Sequence, residues 1–327
     1  MTTQCAKYLH GVGDSRNILI RLLGGTVGAG LIERIVRGYT YISRNYRHGD
    51  QIFIVGFSRG AYTARALAGM IAAKGLIDAT AHNLDDREFA YRLAMSVWYN
   101  YREAASSHDP DLLDRVMNAL SKLPKLFMPH HSAKLIDVEI EAVAVWDTVG
   151  ALGIPEFTVK LERVDTFQFA DTKLSRKVHH GLHAIASDEQ RADFTPTLWD
   201  HDDRIVQVLF PGSHSDVGGG YSTDAGQSGL SDCALVWMTA ELAKLGVQFR
   251  RAPKYVVQPL ASGPVHEPWL GAPWNILPSH ARAFPVGLCL SQCLITRCGA
   301  ALDPRYAPTN LADYLVAGRA TAGVVVL

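Results

Sequence analysis

Three polar residues stand where apolar runs end, and together they could make an ester-cleaving centre. The first is Ser58, inside Gly56-Phe57-Ser58-Arg59-Gly60. It follows the apolar run Ile52–Val55 and precedes the alanine-rich segment Ala61–Ala73. This spacing, G-x-S-x-G between a buried strand and a helix, is that of a nucleophile elbow. The reversal is tight and strains the serine backbone. Side chains two residues to either side are expected to clash, so the reading asks for glycine at both Gly56 and Gly60. The hydroxyl then stands at the positive end of the helix. The N–H of Arg59, with Gly60 beside it, faces the place where an oxyanion would form. The second residue is Asp147, which closes the strand-like run Lys134–Trp146. The third is His214, which follows the run Arg204–Phe210 in FPGSHSDVGGGY.

A serine hydroxyl is a poor nucleophile at neutral pH. It needs a histidine to take its proton, and the histidine needs a carboxylate to fix its tautomer and stabilise its cation. The order serine, acid, histidine is that of an α/β-hydrolase triad, and ligands of open α/β sheets sit beyond the carboxyl ends of strands. Two carboxylates compete for the acid's role. Asp147 ends a strand, where it could equally cap a following helix. Asp216 lies two residues from His214, where it could instead cap the glycine loop. The glycines at 212, 218, 219 and 220 point to unusual backbone or close approach around His214.

The elements that would position these residues alternate. Gly30–His48 carries apolar residues at helical spacing and reads as an amphipathic helix. The Ser58 strand and helix follow. Arg87–Ala105 and Leu112–Leu123 read as helices with no strand between them, so residues 80–133 are taken as a helical insertion after the nucleophile helix. Leu230–Leu245 reads as a helix, and the Pro- and Gly-rich stretch Pro253–Pro285 as ordered loop. The rhythm predicts an α/β fold, a mostly parallel sheet flanked by helices. The order serine, acid, histidine makes it α/β-hydrolase-like, and with no repeat or low-complexity linker residues 1–327 are expected to form one catalytic domain.

Composition removes other classes. Of 327 residues, 48% are hydrophobic and 20% charged, as in soluble globular proteins. Lys+Arg and Asp+Glu both total 32, so no overall charge attracts nucleic acid. Five cysteines suggest no disulfide framework, and Cys289, Cys293 and Cys298 lack metal-ligand spacing. His179, His180, His183, His201, Asp202, Asp203, His214 and Asp216 match no recognised ligand pattern. The glycines near the start fit neither a P-loop nor a dinucleotide fingerprint. No cofactor or metal is expected. The first residues do not read as a signal peptide, and no run of 18 apolar residues occurs.

Several segments, in order, carry a resemblance. GFSRGAYTARALAG, AVWDTVGALGIP, HAIASDEQRADFTPTLW and FPGSHSDVGGGY, with YLHGVGD upstream and RYAPTNL downstream, resemble the phospholipase effectors of the bacterial type VI secretion system. The resemblance covers about 300 residues, and several motifs in order are far more specific than one. It implies glycerophospholipid ester hydrolysis at a membrane surface, with Ser58 as nucleophile, His214 as general base and Asp147 rather than Asp216 as the acid. It also implies a protein without a membrane span, cytoplasmic in the producing cell and delivered to the periplasm of target cells. Its partners would be a secretion-system spike protein and an immunity protein.

Three departures from the family's pattern qualify these expectations. Asp188-Glu189-Gln190-Arg191 stands where the family often reads Asp-Glu-Arg-Arg, which makes Arg191 a secondary site candidate. There is little room for the extra membrane-associating region of longer effectors. The opening strand with its Asp-Gly-Thr run is absent, and with it the loop that would supply a second oxyanion donor. The expectation is a shortened member, weak or inactive, whose sheet edge is bare or borrowed, unless Gly11 and Gly13 supply the donor. Alternative functions are a carboxylesterase for soluble esters and a non-catalytic lipid- or protein-binding module.

Overall fold

A computed structural model describes residues 4–10, 27–106, 132–150, 172–250, 255–302 and 304–327. The elements run in the order α1 (Val27–Asn45), β1 (Phe53–Phe57), α2 (Arg59–Lys74), β2 (Leu76–Ile77), α3 (Arg87–Ser106), β3 (Leu135–Ile136), β4 (Ile140–Trp146), β5 (Val178–Ala186), β6 (Ile205–Phe210), α4 (His214–Gly218), α5 (Gly229–Lys244), β7 (Cys289–Leu290), α6 (Gln292–Gly299), β8 (Leu315–Val316) and β9 (Arg319–Ala320). Five strands form one mostly parallel sheet in the order β1-β4-β5-β6-β7, flanked by helices, in the manner of an α/β-hydrolase. Parallel pairing sets Gly181 against Ile205 and Ala186 against Phe210 between β5 and β6. Val208 and Leu209 of β6 lie against Cys289 and Leu290 of β7. Among the described residues β1 stands at one end of the sheet order, and residues 4–10 form no strand.

The sequence expectations for α1, β1, α2, β6 and α5 fall within a few residues of the observed bounds. Other elements differ. The run Lys134–Trp146 is two strands, β3 and β4, with 137–139 outside both. β2, which no sequence pattern announced, pairs antiparallel with β3, Leu76 against Ile136 and Ile77 against Leu135. The two strands flank residues 78–134 in the sequence. Within the helical insertion expected there α3 is seen, while Leu112–Leu123 lies outside the described residues. β5 was not anticipated either. It stands between the strands that lead to Asp147 and toward His214.

The chain divides into two compact units. The first comprises Met1–Ile54, Tyr62–Val143 and Ala151–His179. Its α1 buries Leu31, Ile32, Ile35, Val36 and Tyr39, a stripe that recurs every three or four residues as an amphipathic helix requires. α3 buries Ala90, Leu93, Ala94, Val97 and Trp98 in the same way. The buried Tyr39 hydroxyl donates to the Gly75 carbonyl at 2.9 Å, which satisfies its polar end and ties α1 to the turn before β2.

The second unit comprises Val55–Ala61, Ala144–Gly150 and His180–Leu327. Its core gathers Ile185, Leu209, Leu288, Leu290, Leu294, Cys298, Leu311 and Tyr314. Ser58, Asp147 and His214 all belong to this unit.

Candidate active site

The elbow is built by its first glycine. Ser58 has φ of 58°, a left-handed backbone uncommon for a side-chain-bearing residue. A Cβ on Gly56 would come 2.3 Å from the Gly60 carbonyl oxygen, so no other residue fits there without moving backbone. Gly60 corrects the sequence expectation. A Cβ on it would meet nothing within 4 Å, so glycine is not sterically required at that position. Ser58 N–H donates to the Trp146 carbonyl at 3.0 Å, which ties the elbow to the end of β4. Arg59 opens α2, placing its N–H in the helix's first turn.

Asp147 is the next residue after Trp146 and is also left-handed, with φ of 36°. It caps no helix. Its own N–H donates to the Ala184 carbonyl at 2.7 Å, and the Ala186 N–H donates to its Oδ1 at 2.9 Å. The neighbouring Thr148 N–H donates to His183 Nε2 at 3.1 Å, and His183 Nδ1 faces Gln207 Oε1 at 3.3 Å. The His183 ring is thus a buried brace beneath the Asp147 turn.

His214 begins α4. Its Nε2 lies 2.7 Å from Ser58 Oγ, and its Nδ1 lies 2.6 Å from Asp147 Oδ2. Its backbone N–H donates to Glu189 Oε2 at 3.1 Å. The Phe57 ring lies 4.6 Å from the imidazole, and Phe194 meets it edge-on at 4.9 Å. Gly218 makes room for this arrangement, because a Cβ there would come 1.9 Å from Phe57.

Asp216 turns elsewhere. Its Oδ2 accepts from Ser213 N–H at 2.9 Å and Ser213 Oγ at 3.0 Å, the reach-back of an acid three residues into a helix. Its Oδ1 pairs with His266 Nδ1 at 2.6 Å. Arg191 makes two side-chain hydrogen bonds to Glu189, at 2.8 and 2.7 Å. Its guanidinium lies 3.6 Å from the Phe194 ring centre and 4.9 Å from that of Trp274. It therefore supports Glu189 and Phe194, both of which touch His214. Gly11 and Gly13 lie outside the described residues.

Sequence reasoning missed Arg282. Its two terminal nitrogens donate to both Asp147 oxygens at 2.7 and 2.9 Å. They also donate to the Ala186 and Phe194 carbonyls, the first at 2.6 Å. Burial alone would raise the Asp147 carboxyl. The Arg282 charge and the hydrogen bonds from His214 and Arg282 more than offset this, and hold it well below the ordinary carboxylate range. Arg282 sits in a Pro-rich loop, 135 residues from its partner, and no spacing rule marks it.

This geometry defines an α/β-hydrolase-like chain with a serine, an imidazole and a buried carboxylate in hydrogen-bonded series. Residues 1–241 match the T6SS phospholipase effector Tle1-like catalytic domain, and the chain belongs to that family. Arg282 and His266 lie beyond the matched residues. The chain is also 27% identical over 176 residues to the uncharacterized protein YEL023C of Saccharomyces cerevisiae, a match covering 54% of this chain and 22% of that protein. The chain thus spans about a fifth of that relative's length. No helix among the described residues is long and apolar enough to cross a membrane.

Proposed function

We propose that this chain is a serine hydrolase that cleaves acyl esters of glycerophospholipids through an acyl-enzyme, in the service of an antibacterial effector. The observation that carries the reading is the series Ser58 Oγ, His214 Nε2 at 2.7 Å, His214 Nδ1 and Asp147 Oδ2 at 2.6 Å, at a left-handed elbow. Family membership supports the lipid substrate.

In this mechanism Ser58 Oγ attacks the ester carbonyl carbon while His214 Nε2 takes its proton. The carbonyl oxygen becomes an oxyanion, met by the N–H of Arg59 and the positive end of α2. His214 then gives the proton to the departing alcohol, leaving the acyl group on Ser58. A water, deprotonated by His214, releases the fatty acid. Asp147 holds the His214 tautomer with Nε2 free to accept, and stabilises the cation that forms. Delivery by a spike protein and neutralisation by an immunity protein complete the effector reading, which rests on the family alone.

The test is incubation of bacterial lipid extract with the wild type and with Ser58→Ala. Fatty acid and lysolipid should accumulate with the wild type only. Equal release by both proteins, or release of phosphate-bearing headgroup instead of fatty acid, would reject the proposal.

A further inference from the structure

The segment Pro268–Pro278 (PWLGAPWNILP) contains no charged residue. It forms two 3₁₀ turns, Pro268–Leu270 and Trp274–Ile276, and each turn ends on an exposed aliphatic side chain. Leu270 is 66% exposed and Ile276 is 82% exposed. Scattered exposed apolar residues are ordinary on protein surfaces. These two differ in what stands beneath them. Trp269, next to Leu270, is buried. Trp274 packs edge-on against Phe194 with ring centres 5.3 Å apart, and Phe194 packs in turn against His214.

The base of the segment is fixed to the same wall of the site. The Ala192 N–H donates to the Pro278 carbonyl at 3.2 Å, and the His280 N–H donates to the Gln190 carbonyl at 2.8 Å. Two residues further on, Arg282 grips Asp147. The exposed tips therefore stand on a support that is hydrogen-bonded to the elements holding the imidazole and its carboxylate.

We infer that the segment 268–278 is the lip by which the site seats on a lipid surface, with Leu270 and Ile276 entering the acyl region and Trp274 at the boundary. This rests on the phospholipid reading above and adds how the ester reaches Ser58. An uncharged turn with aliphatic tips over tryptophan matches the chemistry of a membrane interface, where the indole ring is apolar in body and polar at its N–H. A protein partner fits less well. A stable interface covers about 800 Å² on each side, and two protruding side chains on an eleven-residue turn are too small a platform for that.

The test uses the full chain with Leu270→Glu and Ile276→Glu together, both at exposed positions where the fold should tolerate them. Binding is measured by co-sedimentation with vesicles of phosphatidylethanolamine and phosphatidylglycerol, in a Ser58→Ala background so that the vesicles survive. Turnover is measured in the Ser58 protein, on the same vesicles and on a monomeric short-chain ester. The double variant should lose vesicle binding and vesicle hydrolysis by about tenfold or more, with short-chain ester hydrolysis unchanged. Vesicle binding equal to that of the parent overturns the lip, as does a parent that does not bind vesicles. If neither substrate is hydrolysed by the wild type, the hydrolase reading fails, while the sedimentation result still decides the lip.

Discussion

Arg282 and Asp147 form a buried bidentate pair, with both carboxylate oxygens held at 2.7 and 2.9 Å by the two terminal nitrogens of one guanidinium. The same carboxylate faces His214 at 2.6 Å. A buried carboxylate beside the imidazole is thus met by a fixed opposite charge, which together with the hydrogen bonds from His214 and Arg282 outweighs the upward pull of burial.

Removal of the guanidinium should therefore cost stability in a pH-dependent way. Arg282→Gln should destabilise the fold by about 3–5 kcal/mol near neutral pH, the scale for leaving one member of a buried pair uncompensated. Asp147 is depressed in the folded state. Its contribution is fully present above the unfolded value of about 3.9 and is lost as pH falls through the lower folded value. The gap between wild type and Arg282→Gln in urea unfolding should accordingly narrow as the pH is lowered below about 4. A gap independent of pH would show that the guanidinium acts by packing instead. Arg282→Lys should restore part of the loss.

The two carboxylates near His214 should separate by kind of effect. Asp147→Asn is expected to lower turnover by about 10⁴-fold, the cost of losing control of the histidine tautomer. Asp216→Asn weakens the separate contacts that Asp216 makes with Ser213 and with His266. It should cost about 1–3 kcal/mol of stability with a much smaller change in turnover. Turnover and urea midpoints on both variants decide the matter. The opposite ranking in folded proteins would move the acid's role to Asp216.

The two elbow glycines should also behave differently. Gly56→Ala forces a Cβ against the Gly60 backbone, so soluble yield and thermal midpoint should fall sharply. Gly60→Ala has open space and no positive φ, and should fold with a midpoint within a few degrees of wild type, about 1 kcal/mol or less in stability. Equal tolerance of both substitutions would contradict the elbow as described.

The parts of this site legible in the sequence are the local ones. The elbow is a five-residue pattern between an apolar strand and a helix, so Ser58 could be read from its neighbours. Asp147 and His214 follow apolar runs, and strand ends are where open α/β sheets place their chemistry. β5 escaped because its sequence, VHHGLHAIA, interrupts the apolar run with three histidines and a glycine. One of these, His183, is buried as the brace under Thr148. Glu189, Arg282 and His266 escaped for another reason. Each reaches its partner across a long stretch of sequence, Glu189 to His214, His266 to Asp216 and Arg282 to Asp147, and loops have no period from which such contacts could be inferred. The steric role expected of Gly60 followed from the motif. Of the two elbow glycines, only Gly56 stands in close approach.

The central claim, that Ser58 is the nucleophile activated by His214, is tested most directly by an alkylphosphonate probe with peptide mapping of the adduct. The account predicts one adduct on Ser58 in the wild type, strongly slowed labelling in His214→Ala, and none in Ser58→Ala. An adduct on a different serine, or labelling of Ser58→Ala at the wild-type rate, would contradict it.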